Sequence, residues 1–243
     1  MGKTVRLTKA FGSLRGITII NAYGENIAPS GNETDGYTFA VPRRGVIVQA
    51  TFSGNHWLAN NAGTQDDPYR IRTTDDWNAF AFYVRKGYNF YQQYVKLESD
   101  ITIATSVGMC EEDIFAMNPF CGTFLGGGHT LTANLSSTAT GSGANEQGVA
   151  PFHCIFGATI RNLKVAGTIA SNSRHTAGLV GFADGTNRIE NCTVTATLNI
   201  SSNYAGGIIG HGANSATTIK DCIFAGTING RGGQRANVGA IWG

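Results

Sequence analysis

The sequence has few charged residues, no basic cluster and no long hydrophobic run. Charged side chains make up 14% of the 243 residues, and the formal net charge is +2. No cluster of basic residues is longer than a pair such as Arg43-Arg44, so the sequence lacks the basic patch typical of nucleic-acid-binding proteins. No apolar run approaches the roughly 20 residues that span a bilayer. We therefore expect neither a nucleic-acid partner nor membrane insertion by this segment.

Proline is scarce as well, whereas glycine is abundant. The chain has 5 prolines and 33 glycines, and the glycines lack the three-residue period of collagen. Hydrophobic residues make up 42% of the chain, enough for a buried core. This composition indicates a globular chain with many turns between short strands, and it favours an all-β fold.

The cysteines form no recognisable metal motif. Five are present, without a C-x-x-C pair and without histidines at zinc-finger spacing, so we expect neither a structural metal nor a cofactor. The odd number leaves at least one free thiol, even if Cys110 and Cys121 form a disulfide across the short loop between them. The acidic run Glu111-Glu112-Asp113 can hold Ca²⁺, but such runs are more often solvated surface.

Internal repetition is the most informative feature of the sequence. The segments IRNLKVAGTIA, IENCTVTATLN and IKDCIFAGTIN begin at Ile160, Ile189 and Ile219, which are 29 and 30 residues apart. Between them lie AGLVG at 177–181 and GGIIG at 206–210. A unit of this length with two short β-rich runs cannot bury its apolar side alone, so copies must stack and share a core. The repeats predict a β-solenoid.

Stacking the copies predicts which side chains lie above one another. The predicted ladders are Leu163/Cys192/Cys222, Val165/Val194/Phe224 and Ile169/Leu198/Ile228 facing inward, and Thr168/Thr197/Thr227 facing outward. Cys192 and Cys222 are therefore predicted to be buried apolar residues. The position before the first ladder holds Asn162, Asn191 and Asp221. Such a polar file is typical of a solenoid corner, where short polar side chains hydrogen-bond the turn backbone.

The stretch HTAGLVGFADG at 175–185 is similar to a nucleotide-binding loop. Gly178 and Gly181 flank two aliphatic residues, and the same spacing returns one period later at Gly207 and Gly210. A phosphate site is needed once and is followed by a helix, which is missing here. We therefore interpret these glycines as structural, required by close approach of stacked backbones or by a bend.

One segment has helical character. TTDDWNAFAFYVRKG at 73–87 places Trp77 and Phe80 on a single face, with Thr74 or Asp75 as the predicted N-cap and Gly87 as the stop. A solenoid exposes its core at each end. We expect this helix to cover the first end.

The chain is predicted to have three parts. Residues 1–53 contain short alternating runs separated by glycine, proline and asparagine, which predicts a small antiparallel β domain. Residues 54–68 are polar and aperiodic, as expected of a linker. Residues 69–243 form the helix-capped solenoid.

Two resemblances extend this interpretation. Residues 67–243 resemble bacterial right-handed parallel β-helix domains with GLUG motifs, through DPYRIRTTDDWNAF, YVKLESDI, IRNLKV and the glycine-bracketed runs Gly178–Gly181 and Gly207–Gly210. The segment APFHC departs from that pattern. Residues 4–53 resemble the internalin-type B-repeat through AYGENIAPSGNETDGYTFAV and GVIVQATF.

Both resemblances imply a secreted or surface-anchored bacterial protein. The first residues, MGKTVRLTKAFGS, lack the apolar core of a secretory signal. The chain is then either cytoplasmic or a mature segment of a longer protein. We favour the second, with the signal and the anchor outside this segment.

Catalysis must be weighed because parallel β-helices host polysaccharide lyases and glycoside hydrolases. A glycosidase needs carboxylates about 5 to 9.5 Å apart, yet Asp184, Glu190 and Asp221 occupy different places in the repeat. The histidines have no serine or cysteine at motif spacing. We predict a non-catalytic extracellular module that serves in adhesion, in glycan or host-protein binding, or as a stalk. The alternative is a carbohydrate-active β-helix enzyme.

Overall fold

The chain folds as two compact units, Met1–Asn60 and Asn61–Gly243. The computed structural model describes residues 4–7, 13–21, 23–32, 35–42, 46–53, 58, 61–111, 116–137, 148–172, 174–201, 204–230 and 237–243.

The first unit is a small antiparallel β structure. Its strands are β1 (Thr4–Leu7), β2 (Ser13–Asn21), β3 (Ser30–Asn32), β4 (Gly36–Ala40) and β5 (Val46–Ser53). One sheet has the order β1-β4-β3, and β2 pairs with β5 in a second one. All these pairings are antiparallel, as the alternating runs predict.

The second unit contains one helix and a long series of short strands. These elements are β6 (Tyr69–Ile71), α1 (Thr74–Arg85), β7 (Tyr94–Leu97), β8 (Ile101–Ile103), β9 (Met109–Glu111), β10 (Ala116–Asn118), β11 (Thr123–Leu125), β12 (Thr130–Ser137), β13 (Gly148–Val149), β14 (Phe152–Phe156), β15 (Thr159–Arg161), β16 (Lys164–Ser171), β17 (His175–Ala177), β18 (Val180–Gly185), β19 (Arg188–Glu190), β20 (Thr193–Val194), β21 (Thr197–Ile200), β22 (Tyr204–Gly206), β23 (Ile209–Ser215), β24 (Thr218–Lys220), β25 (Ile223–Phe224), β26 (Thr227–Gly230) and β27 (Asn237–Gly239).

Strands from successive repeats pair in parallel. The largest stacks are β24-β19-β15-β11-β7-β6 and β25-β20-β16-β12-β8, with β21 and β26 continuing the latter stack beside β16. Two further stacks are β13-β17-β22-β27 and β14-β18-β23, and β9 pairs with β10 as an antiparallel hairpin. Each repeat thus forms one rung, and the rungs form a β-solenoid. The predicted fold class is confirmed.

The register of the rungs is the one that the ladders predict. Val165 pairs with Val194 and Val194 with Phe224, while Thr168 pairs with Thr197 on the outward side. Where the repeat lengthens from 29 to 30 residues, the register between β18 and β23 shifts: Asp184 pairs with Ala213, but Gly185 pairs with Ser215. A β-bulge therefore absorbs the extra residue and keeps the following strands aligned.

One burial prediction in these ladders is wrong. Cys192 is fully buried, but Cys222 is only half-buried. Cys222 lies in the last rung of its stack, where no further described strand pairs with β24 or β25. The thiol is therefore covered on one side only.

The helix begins one residue earlier than predicted. Thr73, rather than Thr74 or Asp75, is the N-cap. Its hydroxyl accepts a hydrogen bond from the Asp76 backbone N–H (3.1 Å), and the Asp76 carboxylate accepts one from the Thr73 backbone N–H (3.0 Å). This reciprocal capping box satisfies two backbone donors, which neither predicted N-cap does here.

The buried face of α1 covers one end of the solenoid core. Trp77 and Phe80 are fully buried. The Trp77 ring lies edge to face against Phe124 and Phe152, at 6.0 and 5.8 Å between ring centroids. Its indole N–H donates to the carbonyl oxygen of Thr105 (2.8 Å). The helix thus shields apolar rings that the first rungs leave uncovered.

Among the described elements, no helix is long and apolar enough to cross a membrane.

Part of the predicted linker belongs to the solenoid unit, which begins at Asn61. The carbonyl oxygen of Gly63 accepts a hydrogen bond from the Tyr94 backbone N–H (2.8 Å). Gly63 also lies directly against the Tyr69 ring, where a side chain would collide. The segment is polar yet ordered because its backbone pairs with β7. Residues 54–57, 59 and 60 of that linker lie outside the described residues.

We predict that Trp77→Ala lowers the free energy of unfolding of the solenoid by about 3–5 kcal/mol, because it empties a large site in a close-packed core. Tyr91→Ala is the control, since the Tyr91 side chain is 67% exposed, and it should change stability by less than about 0.5 kcal/mol. Urea unfolding followed by circular dichroism measures both. Equal stability of the two variants would show that α1 does not seal the core.

Candidate binding site

The polar file lies where the chain turns between two stacks. Asn162, Asn191 and Asp221 each follow a strand and adopt the left-handed backbone conformation, with φ of 57°, 49° and 52°. The Asn191 side-chain amide donates to the Asn162 side-chain oxygen (2.8 Å). Asparagine and aspartate tolerate this conformation better than other side chains. The hydrogen bond joins one rung to the next, whereas the sequence suggested bonds to the turn backbone.

The repeated glycines lie where successive rungs are closest. A Cβ atom at Gly178 would collide with the carbonyl oxygen of Gly207 in the next rung. A Cβ atom at Gly207 would in turn collide with the carbonyl oxygen of Ala240 and with the ring of Phe224. The backbone N–H of Gly178 donates to Gly206 (3.2 Å), which holds the rungs at this distance. The stacked backbones leave no room for a side chain.

The second glycine of each run lies just after the bend. A Cβ atom at Gly210 would be 2.8 Å from the carbonyl oxygens of both Gly181 and Thr176. Gly181 is itself buried. The φ angles of Gly178, Gly207 and Gly210 lie outside the left-handed range. Close approach, rather than an unusual backbone conformation, accounts for these glycines.

The same bend brings four rings together. β17 and β22 end at the glycine run and β18 and β23 follow it, so side chains from both stacks meet across the bend. His175 pairs in register with Tyr204, and Phe182 pairs with His211. We refer to His175, Phe182, Tyr204 and His211 as the histidine–aromatic cluster. It consists of two ring positions, each repeated on two successive rungs.

The rings of the cluster are in mutual contact. His175 and His211 are stacked, with centroids 4.7 Å apart and planes 13° apart. Tyr204 lies 4.5 Å from His211 and 5.5 Å from His175. Phe182 lies 5.4 Å from His175. These separations are typical of favourable aromatic pairs.

The cluster is half open to solvent. His175 is buried, whereas Phe182, Tyr204 and His211 are half-buried. Burial lowers the pKa of His175 to about 3, and the neighbouring His211 and Arg174 act in the same direction. The His175 imidazole is therefore neutral at neutral pH. Its Nδ1 atom makes no hydrogen bond to any described residue.

Local sequence motifs do not predict this cluster. The histidines lie far apart in the chain and have no serine or cysteine partner at motif spacing. The available signal was the repeat period: His175 and Tyr204 are 29 residues apart, and so are Phe182 and His211. In a solenoid, that separation places side chains on adjacent rungs.

The acidic residues of the repeats are engaged separately. Glu190 pairs with Arg188 (2.6 Å), and Asp221 lies 3.9 Å from Lys220. The Asp184 carboxylate accepts a hydrogen bond from the Gly185 backbone (2.7 Å). In the described part of the chain, no group of three or more histidine, cysteine, aspartate or glutamate residues is placed to hold a metal. Residues 112 and 113 of the acidic run fall outside that part.

Cys110 and Cys121, the possible disulfide pair, are both free thiols in the structure. In the β9–β10 hairpin the residue opposite Cys110 is Met117, and the Cys110 thiol hydrogen-bonds to Cys154 of a neighbouring rung. The Cys121 thiol points to the carbonyl oxygen of Pro119 (3.7 Å). The hairpin register therefore separates two cysteines that are close in sequence.

The stacked parallel strands, the glycine-lined bend and the rung-to-rung side-chain ladders define a β-solenoid repeat protein. The family model of the GLUG motif matches residues 172–199, a segment that includes Gly178, Gly181 and two rings of the cluster. This is therefore a β-solenoid that contains a GLUG motif. Among curated proteins and solved structures, none is significantly similar to the chain.

We predict that Gly207→Val destabilises the solenoid by more than about 3 kcal/mol, because the new side chain must displace the neighbouring rung. Thr168→Val is the matched control, since Thr168 is exposed on the outer face and should tolerate the change within about 0.5 kcal/mol. Thermal unfolding measures the difference. A Gly207→Val protein of normal stability would contradict the close-approach explanation.

The low pKa of His175 in the histidine–aromatic cluster predicts that the fold is less stable in acid. The His175 pKa is lower in the folded chain than its ordinary value of about 6.5, so the unfolded chain takes up the proton first. The contribution of His175 to stability is then complete above about pH 6.5 and is lost as the pH decreases toward 3, by about 1.4 kcal/mol per unit. His175→Phe should remove about 2 kcal/mol of the loss between about pH 6.5 and about pH 5. Urea unfolding at several pH values tests this, and identical pH dependence in both proteins would refute it.

Proposed function

We propose that this chain is a non-catalytic extracellular module that binds a neutral carbohydrate through the histidine–aromatic cluster. The observation that carries the proposal is the contact of four rings from two rungs, three of which remain half open to solvent. Isolated apolar side chains on a surface need no explanation, whereas a contiguous aromatic group that borders solvent indicates recognition.

The chemistry of the cluster suits a sugar. Aromatic faces pack against the apolar C–H face of a sugar ring, while the Tyr204 hydroxyl and the histidine nitrogens can exchange hydrogen bonds with its hydroxyl groups. The low pKa of His175 keeps its ring uncharged. A ligand without formal charge therefore fits best. Because the rings repeat with the rungs, the site favours an extended glycan over a single sugar.

The extracellular location is supported by the GLUG match over residues 172–199 and by the resemblance of the wider solenoid to bacterial surface modules. The antiparallel strands of the first unit are compatible with the resemblance to an internalin-type B-repeat. In this proposal the first unit is a second module of a bacterial surface protein.

The non-catalytic assignment is supported by the arrangement of the acids. Glu190 and Asp221 each form an ion pair with a neighbouring basic side chain, and the Asp184 carboxylate accepts a hydrogen bond from the backbone of its own turn. Glycoside hydrolysis needs two carboxyl groups that face one bond. The separately engaged acids do not favour that arrangement.

We predict that Tyr204→Ala and His211→Ala each weaken glycan binding by at least about tenfold, or about 1.4 kcal/mol. The glycan is first selected on an array of neutral oligosaccharides with the wild-type chain, and affinities are then measured by calorimetry. Tyr91→Ala, which truncates an exposed ring remote in sequence, should bind like the wild type.

The possible results separate the functions. Equal affinity in all variants would contradict the cluster as the site. An array without any bound glycan would contradict carbohydrate binding and leave the role of a stalk or of a protein-binding module. Shortened oligosaccharide products after incubation would contradict the non-catalytic assignment in favour of a carbohydrate-active enzyme.

A further inference from the structure

Two cysteines face each other on successive rungs, at a position separate from the histidine–aromatic cluster. The residues that follow them, Thr193 and Ile223, pair in register, and the backbone N–H of Ile223 donates to the carbonyl oxygen of Cys192 (2.8 Å). Cys192 and Cys222 are therefore direct neighbours across two parallel strands. Neighbouring strands are about 4.8 Å apart, and disulfides join Cα atoms about 4.4 to 6.8 Å apart.

The two thiols have matching surroundings. The sulfur of Cys192 lies 3.2 Å from the carbonyl oxygen of Glu190, and the sulfur of Cys222 lies 3.3 Å from that of Lys220. Both side chains thus adopt the same orientation, one rung apart, and the thiols hydrogen-bond to each other.

Their exposure differs, and this gives them different roles. Cys222 is half-buried and Cys192 is fully buried. The hydrogen bond from the Cys192 thiol lowers the pKa of Cys222 to about 7, and the same contact together with burial raises the pKa of Cys192. A thiolate is the attacking species in disulfide exchange. Cys222 is thus the accessible, partly ionised member and Cys192 the protected one.

We propose that Cys192 and Cys222 are a redox-active pair that forms a reversible disulfide between successive rungs when a small-molecule disulfide is present. This proposal does not depend on carbohydrate binding. Such oxidants occur in the oxidising compartments where disulfides persist.

The small-molecule disulfide is the only oxidant that this reaction needs. The Cys222 thiolate attacks one sulfur of the small disulfide, which forms a mixed disulfide and releases one small thiol. The Cys192 thiol then attacks the Cys222 sulfur and passes its proton to the small thiolate that leaves, which forms the inter-rung bond and releases the second thiol. Two protein thiols are oxidised, and one small disulfide is reduced to two thiols that take up the protons.

The chain offers a matched control pair. Cys110 and Cys154 also hydrogen-bond through their thiols, but both are buried. That hydrogen bond and burial raise the pKa of Cys154 well above its ordinary value. A buried pair of thiols therefore serves as the control in the same molecule under the same conditions.

The test treats the folded full chain with oxidised glutathione, followed by non-reducing peptide mapping by mass spectrometry. We expect a linked Cys192–Cys222 peptide about 2 Da lighter than the two reduced peptides together, and no link between Cys110 and Cys154. Dithiothreitol should restore both thiols. This measurement on the wild-type chain does not require any variant to fold.

Two variants test the order of the steps. In Cys192→Ala the glutathione adduct should accumulate on Cys222, because no resolving thiol remains. In Cys222→Ser no adduct should form on the buried Cys192. The proposal is overturned if the wild-type chain shows no Cys192–Cys222 link, if the control pair oxidises as fast, or if Cys192 reacts equally well without Cys222.

Discussion

The spacing between stacked backbones is the constraint on which this structure depends. Parallel strands repeat about every 4.8 Å, and at the glycine-lined bend even a methyl group at Gly178 or Gly207 would collide with the next rung. This spacing aligns the apolar ladders, joins Asn162 to Asn191, and places His175 beside Tyr204. The core, the corner and the candidate site are therefore consequences of one geometric requirement.

The repeat period made the fold predictable. It gave the parallel stack, the register of Val165 with Val194 and the alternation of inward and outward side chains. The helix was equally clear because Trp77 and Phe80 follow helical spacing. The exposure of Cys222 could not be predicted from the sequence, since it depends on whether another strand covers this residue. Nor did it place the N-cap, because Thr73 and Thr74 offer the same hydroxyl group.

The candidate site was harder to predict than the fold. His175 and His211 lie far apart in the chain, and they meet because the bend folds one stack toward another. A short sequence motif cannot reveal a contact between residues that lie so far apart in the chain. The repeat period predicts which residues pair between rungs, but it does not predict the contact across the bend. The absence of a disulfide between Cys110 and Cys121 has a similar physical reason. Cys110 and Cys121 are close in sequence, yet the hairpin between them pairs Cys110 with Met117.

The bulge between Asp184 and Gly185 has a consequence for how such a chain can change over time. One extra residue is accommodated there, and the strands on both sides keep their partners. Gly126-Gly127-Gly128 lies at another such place, since residues 126–129 occupy the corner that residues 162 and 163 fill in the next rung. Neighbouring rungs already differ in length at these two corners, and the strands that follow stay in register. A loop grafted at either corner therefore need not disturb the pairing of the strands on both sides of it.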